Sequence, residues 1–372
     1  MTALLLFFGR GGESETERQL DAARVAIGAG VIRRAGEAGF SPLLAITADA
    51  EAAAALARAG ARAEPPGSSP FHFGHELARL ARDRGLERVA TIGAGAGALL
   101  GVAALRAIRA ELEAADALVL SNNHYSADLI AFRPASALEA IALPATDNPL
   151  PRLLHQQAGL PFRQLERSAA TLLDVDTPVD AAILLRHPDC PAELRSMDAL
   201  RAWDRELGAR AEALMRIITT PERELVVAGR AGAPVWTYLE SQTACRVRML
   251  AEERGMQAAG RDASGSARSA LGFLYEALGP RAFFERFGEL GDGLLLDSRV
   301  LFAHLGWRPT ATDRFASDLF RAESIADPAL REFTAAAREA DYPVLLGGHT
   351  LVSGALWTLV DAAWADHPEP ER

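Results

Sequence analysis

The stretch ALLLFFGRGGESETERQLDAARVAIGAGVIRRA, Ala3 to Ala35, decides the class of fold. It opens on a short apolar run ending in glycine, which reads as a buried strand because it is far too short to cross a bilayer. After a loop of glycines and polar residues, Leu20, Ala23, Ile27 and Val31 recur at helical spacing, so Arg18–Ala38 reads as a helix. Strand, glycine-rich loop and helix form the repeating element of a parallel α/β sheet. The same alternation continues downstream. "PLLAIT" and "RVATIG" read as strands, Ala50–Ala59 and Gly74–Arg84 as helices, and "ALVLS" and "ADLIAF" as strands on either side of "NNHY". The expectation is a Rossmann-like, mostly parallel sheet flanked by helices over residues 1–188, with ligands in the loops after Phe8, Thr47, Ile92 and Leu120.

Beyond Arg186 the texture changes to long amphipathic patterns at Met197–Arg216 and Val235–Gly255, a shorter one at Thr312–Phe320, and an apolar stretch from Val344 to Ala365. His349, Thr350, Ser353 and Asp361 interrupt that last stretch, which therefore reads as a core helix. With "RHPDCPAE" as the boundary, residues 189–372 are expected to form an all-α domain.

Of the 372 residues, 49% are hydrophobic, enough for two packed cores. The formal net charge of -10 argues against a nucleic-acid partner. The absence of a basic leader and of a membrane-length apolar segment gives the expectation of a cytoplasmic protein with no membrane partner, acting on a small molecule. Cys190 and Cys245 match no zinc or redox spacing and read as ordinary buried thiols. All 39 basic residues are arginine, which excludes a lysine-bearing Walker loop, a Schiff-base lysine and a lysyl ligase intermediate.

Among the loops, "GRGGESETER" could let a phosphate approach the backbone at Gly9, Gly11 and Gly12, with Arg10 and Arg18 as counter-charges, or simply connect strand to helix. "GAGAGALLG" fits the G-x-G-x-x-A dinucleotide pattern at Gly93, Gly95 and Ala98, but the next strand ends in Ser121 and Asn122 rather than an acid. His72 and His75 have a chelating spacing without a third ligand and read as loop histidines. The most pointed run is "LLDVDTPVD". Asp174 and Asp176, two apart on an extended segment, point the same way and could share one divalent cation through oxygen ligands. Thr177 and Pro178 then start a helix, and Asp180 belongs in its first turn.

At these residues the chain resembles the GT-A-type nucleotidyltransferases, in particular the molybdenum-cofactor guanylyltransferase and phospholactate guanylyltransferase group. The resemblance rests on "LDVDTPVDAAIL", on "LPATDNPL" and on the opening strand with its glycine-rich loop. It implies a domain that binds a nucleoside triphosphate over the first loop and uses Mg2+ to join the nucleotide to a phosphorylated or related acceptor, releasing pyrophosphate. Carried over, Gly9, Gly11 and Gly12 belong to the phosphate loop, with Asn123, Asp147 and Asn148 as further nucleotide contacts. Asp174 and Asp176 take the metal position, and Arg10, Arg18 and Asp176 become the catalytic residues. Two departures stand out: the first loop lacks a lysine, and "IGAGAGALL" lacks the aspartate expected after the central strand. They motivate two alternatives, a catalytically silent nucleotide-binding module and a glycosyltransferase using a nucleotide sugar.

The second half places Arg246, Asp297, Arg299, Arg314 and His349 in or beside apolar runs. Buried acids and arginines must pair, so these residues form either a salt-bridge network or an anionic-ligand site. This half is expected to shape the acceptor site or to mediate a homodimer.

Overall fold

The protein is described from a computed structural model over residues 1–256 and 259–365. The chain divides into two compact units. The first comprises Met1–Gly11 and Asp21–Asp174; the second comprises Gly12–Leu20 and the chain from Val175 onward. The division falls at Val175 rather than at residue 189. The helix Pro178–Arg186 is the reason, since it packs on the helices Asp198–Ile218 and Gly354–Ala365 of the second unit.

The first unit carries seven strands: β1 (Thr2–Phe7), β2 (Leu43–Ile46), β3 (Arg62–Glu64), β4 (Arg88–Gly93), β5 (Leu118–Ser121), β6 (Leu129–Arg133) and β7 (Phe162–Gln164). Their order is β3-β2-β1-β4-β6-β5-β7, and β6 alone runs antiparallel to its neighbours. Leu4 lies between Leu43 and Ala90 in the register, and Leu4, Leu5 and Leu6 are fully buried. A strand covered on both faces reads as a continuous apolar run, which is what "ALLLFF" is. Strand order reverses between β1 and β4, so the crevice favoured for ligands lies at their carboxyl ends.

The second unit departs from the all-α expectation. It contains a four-stranded sheet, β8 (Glu224–Gly229), β9 (Arg246–Ala251), β10 (Gly293–Asp297) and β11 (Val344–Gly347), ordered β11-β10-β8-β9. All its pairings are parallel. The helical reading of Val235–Gly255 is corrected to a helix, Ala233–Gln242, followed by β9; that of Val344–Ala365 becomes β11, a turn of 3-10 helix and the helix Gly354–Ala365. The physical cause is shared. "LVVA", "LLL" and "VLL" are short, wholly buried runs, and over four or five residues a buried parallel strand and a buried helix look alike. Among the described residues no helix is long and apolar enough to cross a membrane.

Candidate functional site

At the carboxyl ends of β1 and β2 the first unit encloses a pocket of about 420 Å³. Phe7, Phe8, Gly9 and Arg10 line it from the first strand, Ile46 to Asp49 from the second, and Pro66 and Phe71 from the loop after β3. The walls are mostly apolar. Phe7 packs between Phe73, at 5.0 Å between ring centroids, and Phe71, at 6.2 Å, and Phe71 is half exposed, so a ring face remains available. The polar rim is Arg10, whose guanidinium lies 3.7 Å from Asp49. Asp49 is itself fixed, because it caps the helix Ala50–Arg58 by accepting the Ala52 amide at 2.8 Å.

The glycine-rich loop is less open to phosphate than its composition implies. The Gly11 amide donates to Asp21 at 2.9 Å. In the second unit, Glu17 accepts from both the amide and the hydroxyl of Ser14, and Ser14 caps the helix Glu15–Glu37 in return. The Ser14 hydroxyl holds the Glu17 carboxyl below the usual range. Gly12 lies so close to Glu17 that a Cβ there would displace the Glu17 carboxylate. Arg18 is exposed and donates to the Glu13 carbonyl. Of the expected phosphate loop, Gly9 and Arg10 line the pocket, whereas Gly12 and Arg18 belong to the other unit.

Two acids flank the turn after β4 instead of one lying within it. Asp174 forms an isolated antiparallel bridge with Ala96. Asp128 accepts the Gly93 amide through its carbonyl at 3.2 Å, and its carboxylate accepts from Asn122 at 3.3 Å. Asp176 is exposed and belongs to the second unit. Among the described residues no three His, Cys, Asp or Glu side chains form a metal-binding group. The acids at the β4 turn offer only oxygen, which suits a hard cation whose remaining positions are filled by phosphate and water. Asp128, which with Asp147 is the sequence's candidate for the carboxylate missing after the central strand, lies one residue before β6, which begins beside the carboxyl end of β4.

Asn123 and Asn148 are brought together through Ser126. Asn123 accepts the Tyr125 and Ser126 amides, and the Ser126 hydroxyl donates to Asn148 at 2.7 Å. Asp147 holds the start of the neighbouring helix through its carbonyl, which accepts from Leu150. The loop Gly93–Ala98 is held from within the first unit. Arg34 ties down the Gly97 and Leu100 carbonyls at 2.9 and 2.8 Å, and Gly97, at φ +75°, leaves no room for a side chain against Ile92. His72 caps the helix Phe73–Asp83. Cys190 and Cys245 are free and buried, and burial raises the Cys190 thiol to about 11.

In the second unit, Asp297, Arg299, Arg314 and His349 lie at or just beyond the carboxyl ends of β10 and β11 or on the helices that follow. Arg246 does not join them. It begins β9, paired with Glu224 at the start of β8, and therefore lies at the opposite edge of a parallel sheet. Arg230, which the sequence reading passed over, takes its place directly after β8.

No family profile and no curated protein matches the chain. Among solved structures, it is similar to one described as a nucleotide-diphospho-sugar transferase from Desulfovibrio desulfuricans G20, at 19% identity and TM-score 0.35, over 56% of this chain and 95% of that one. A cytidylyltransferase from Leptospira borgpetersenii gives 12% identity and TM-score 0.41, over 55% and 94% of the two chains. A CMP:2-keto-3-deoxy-manno-octonic acid synthetase complexed with CTP gives 14% identity and TM-score 0.33, over 45% and 90%.

Proposed function

We propose that the first unit binds a nucleoside triphosphate and transfers its nucleotidyl group to a small phosphorylated or related acceptor, with Mg2+. The observation that carries this reading is the pocket at the ends of β1 and β2. Its volume of about 420 Å³ suits a nucleoside, its aromatic wall suits a base, and it opens beside the β1/β4 reversal where phosphates would lie. Phe71 stacks the base, Arg10 meets the phosphate charge, and Asn123 and Asn148 supply polar contacts farther along the same edge. Asp174 and Asp128 would hold the cation from either side of the β4 turn. The metal would spread the charge of the triphosphate; the chain's own residues orient it, so that an acceptor oxygen attacks the α-phosphorus and pyrophosphate departs. We place the protein in the cytoplasm and expect a homodimer.

The test is pyrophosphate release by the full chain across a panel of triphosphates and phosphorylated acceptors, with and without EDTA. Metal-dependent release with at least one pair is expected. Tight triphosphate binding without turnover by any pair would instead favour the second reading, a silent nucleotide-binding module. That alternative has its own support: the Gly11 and Ser14 amides are already taken by Asp21 and Glu17, and the residues from Ala94 to Ala98 offer no carboxylate. Hydrolysis of nucleotide sugars in the same panel would point to glycosyl transfer.

A further inference from the structure

The second unit gathers its buried charges at one edge of its sheet. Strand order reverses between β8 and β10, so a ligand crevice is expected where those two strands end. Arg230 follows β8 directly and Asp297 ends β10. The Asp297 carboxylate accepts from Arg230 Nε at 2.6 Å and Nη2 at 3.0 Å, and from the amides of Arg230 and Arg299 at 3.3 and 3.2 Å. A second fork lies beside it, with Arg299 donating to Asp318 from Nη1 at 2.9 Å and Nη2 at 2.5 Å.

Both pairs have the same polarity. The Asp297 and Asp318 side chains are 0% exposed, whereas those of Arg230 and Arg299 keep 13% and 14% of their surface. Each acid is more deeply buried than its arginine. Locking a planar guanidinium with a carboxylate leaves its remaining N–H groups aimed and costs little further entropy when an anion arrives.

Arg314 is a third cation beside Arg299, balanced only at longer range by Asp318, Glu17 and Asp262. It is half-buried and donates to the Pro309 carbonyl at 3.0 Å, yet has no ion-pair partner among the described residues. Burial first and then the neighbouring Arg299 push its pKa down, against the pull of Asp318, Glu17 and Asp262. The backbone contributes as well. Gly229, at φ +132°, lets the chain pass so close to Asp297 that a Cβ would overlap it, and the loop leads straight into the helix Ala233–Gln242. That helix's first turn adds positive potential at the same edge.

We propose that the carboxyl edge of this second sheet binds a phosphorylated small molecule, its phosphoryl group held by Arg314 together with Arg230 and Arg299. The site rests on the second unit alone and does not depend on nucleotide binding by the first.

The probes are inorganic phosphate and glycerol 3-phosphate, titrated calorimetrically into the full chain at fixed ionic strength. Saturable binding is expected, at least about tenfold weaker in Arg314→Gln, since a charge-assisted fork is lost. Phe71→Ala, which weakens the first unit's pocket, should leave this binding as it is. Tighter binding of the ester identifies an organic phosphate as the ligand; equal binding identifies free phosphate. Should Arg314→Gln fold poorly, Arg314→Lys keeps the charge without the fork and is expected to fall between wild type and the glutamine variant. Absence of saturable binding, binding indifferent to both Arg314 variants, or binding lost in Phe71→Ala would overturn the proposal.

Discussion

Asp180 and Thr177 close on each other at the start of the helix Pro178–Arg186. One carboxylate oxygen accepts the Thr177 amide and hydroxyl, each at 2.8 Å, while Thr177 Oγ1 receives the Asp180 amide at 3.3 Å. Burial, reinforced by the Asp176 charge, raises the Asp180 carboxyl well above its ordinary range. Asp180→Ala strips three donors of their acceptor and is expected to cost about 2 kcal/mol of stability. Asp180→Asn keeps an acceptor oxygen and should cost less. Asp176→Ala, at an exposed position whose amide alone is used, should leave the thermal midpoint nearly unchanged. Equal destabilisation by Asp176→Ala and Asp180→Ala would remove the distinction.

Phe71 is 48% exposed yet lines the first unit's pocket. Phe71→Ala should lower nucleotide affinity by about 1–3 kcal/mol, the range for a base stacked on an aromatic ring, with little change in stability. Equilibrium binding of a fluorescent triphosphate measures the first quantity and a thermal melt the second. Unchanged affinity would move the base out of this pocket.

The acids at the β4 turn can be tested in the same way. Asp174→Asn and Asp128→Asn should each reduce magnesium-dependent nucleotide affinity or turnover by about tenfold or more, because each removes a hard oxygen donor of full charge. Binding measured in EDTA should change far less. A loss of the same size with and without the metal would mean that these acids serve the fold alone.

His349 gives the second unit a pH signature. Burial, with help from Arg230 and Arg254, lowers its pKa to about 4 against the pull of Asp297. Above pH ~6.5 the imidazole is neutral in both folded and unfolded chains, and its contribution is fully present. As pH falls from there through about 4, the unfolded chain takes up the proton first, and up to about 3 kcal/mol of stability is lost. Urea unfolding at pH 7 and pH 4.5 should show this loss in wild type and a smaller one in His349→Asn. Parallel losses in the two proteins would exclude His349 as the source.

Gly229→Ala places a methyl group against Asp297 at a backbone angle of φ +132°. It should cost at least about 2 kcal/mol through strain and displacement of the Arg230–Asp297 pair. Chemical denaturation reads this directly, and a neutral result would show that the loop can relax.

The first sheet could be read in advance because its strands are separated by helices of clear period, as between Phe7 and Leu43. The second could not. Its strands are runs such as Leu294–Leu296, followed at once by a helix, so that in "GLLLDSRVLFAH" only the capping Asp297 marks the change from one to the other. The buried pairing of Asp297, Arg299 and Asp318 was foreseeable from charges set in apolar sequence, but Arg246 was misplaced once β9 was read as helix. Phe71 escaped notice because nothing in "SSPFHF" distinguishes a pocket wall from a loop; only the return of that loop over β1 and β2 does so.

The assignment of Gly12–Leu20 to the second unit has a consequence for synthesis. Thr312 donates to Glu17 across 295 positions of chain. A ribosome makes this segment almost 300 residues before the Thr312 it bonds to. A fragment cut at Asp174 would therefore carry a piece with nothing to settle on, and one starting at Val175 would lack it. Complementation between 1–174 and 175–372, supplied as separate polypeptides, should succeed only if that early segment can thread back into place after the rest has folded.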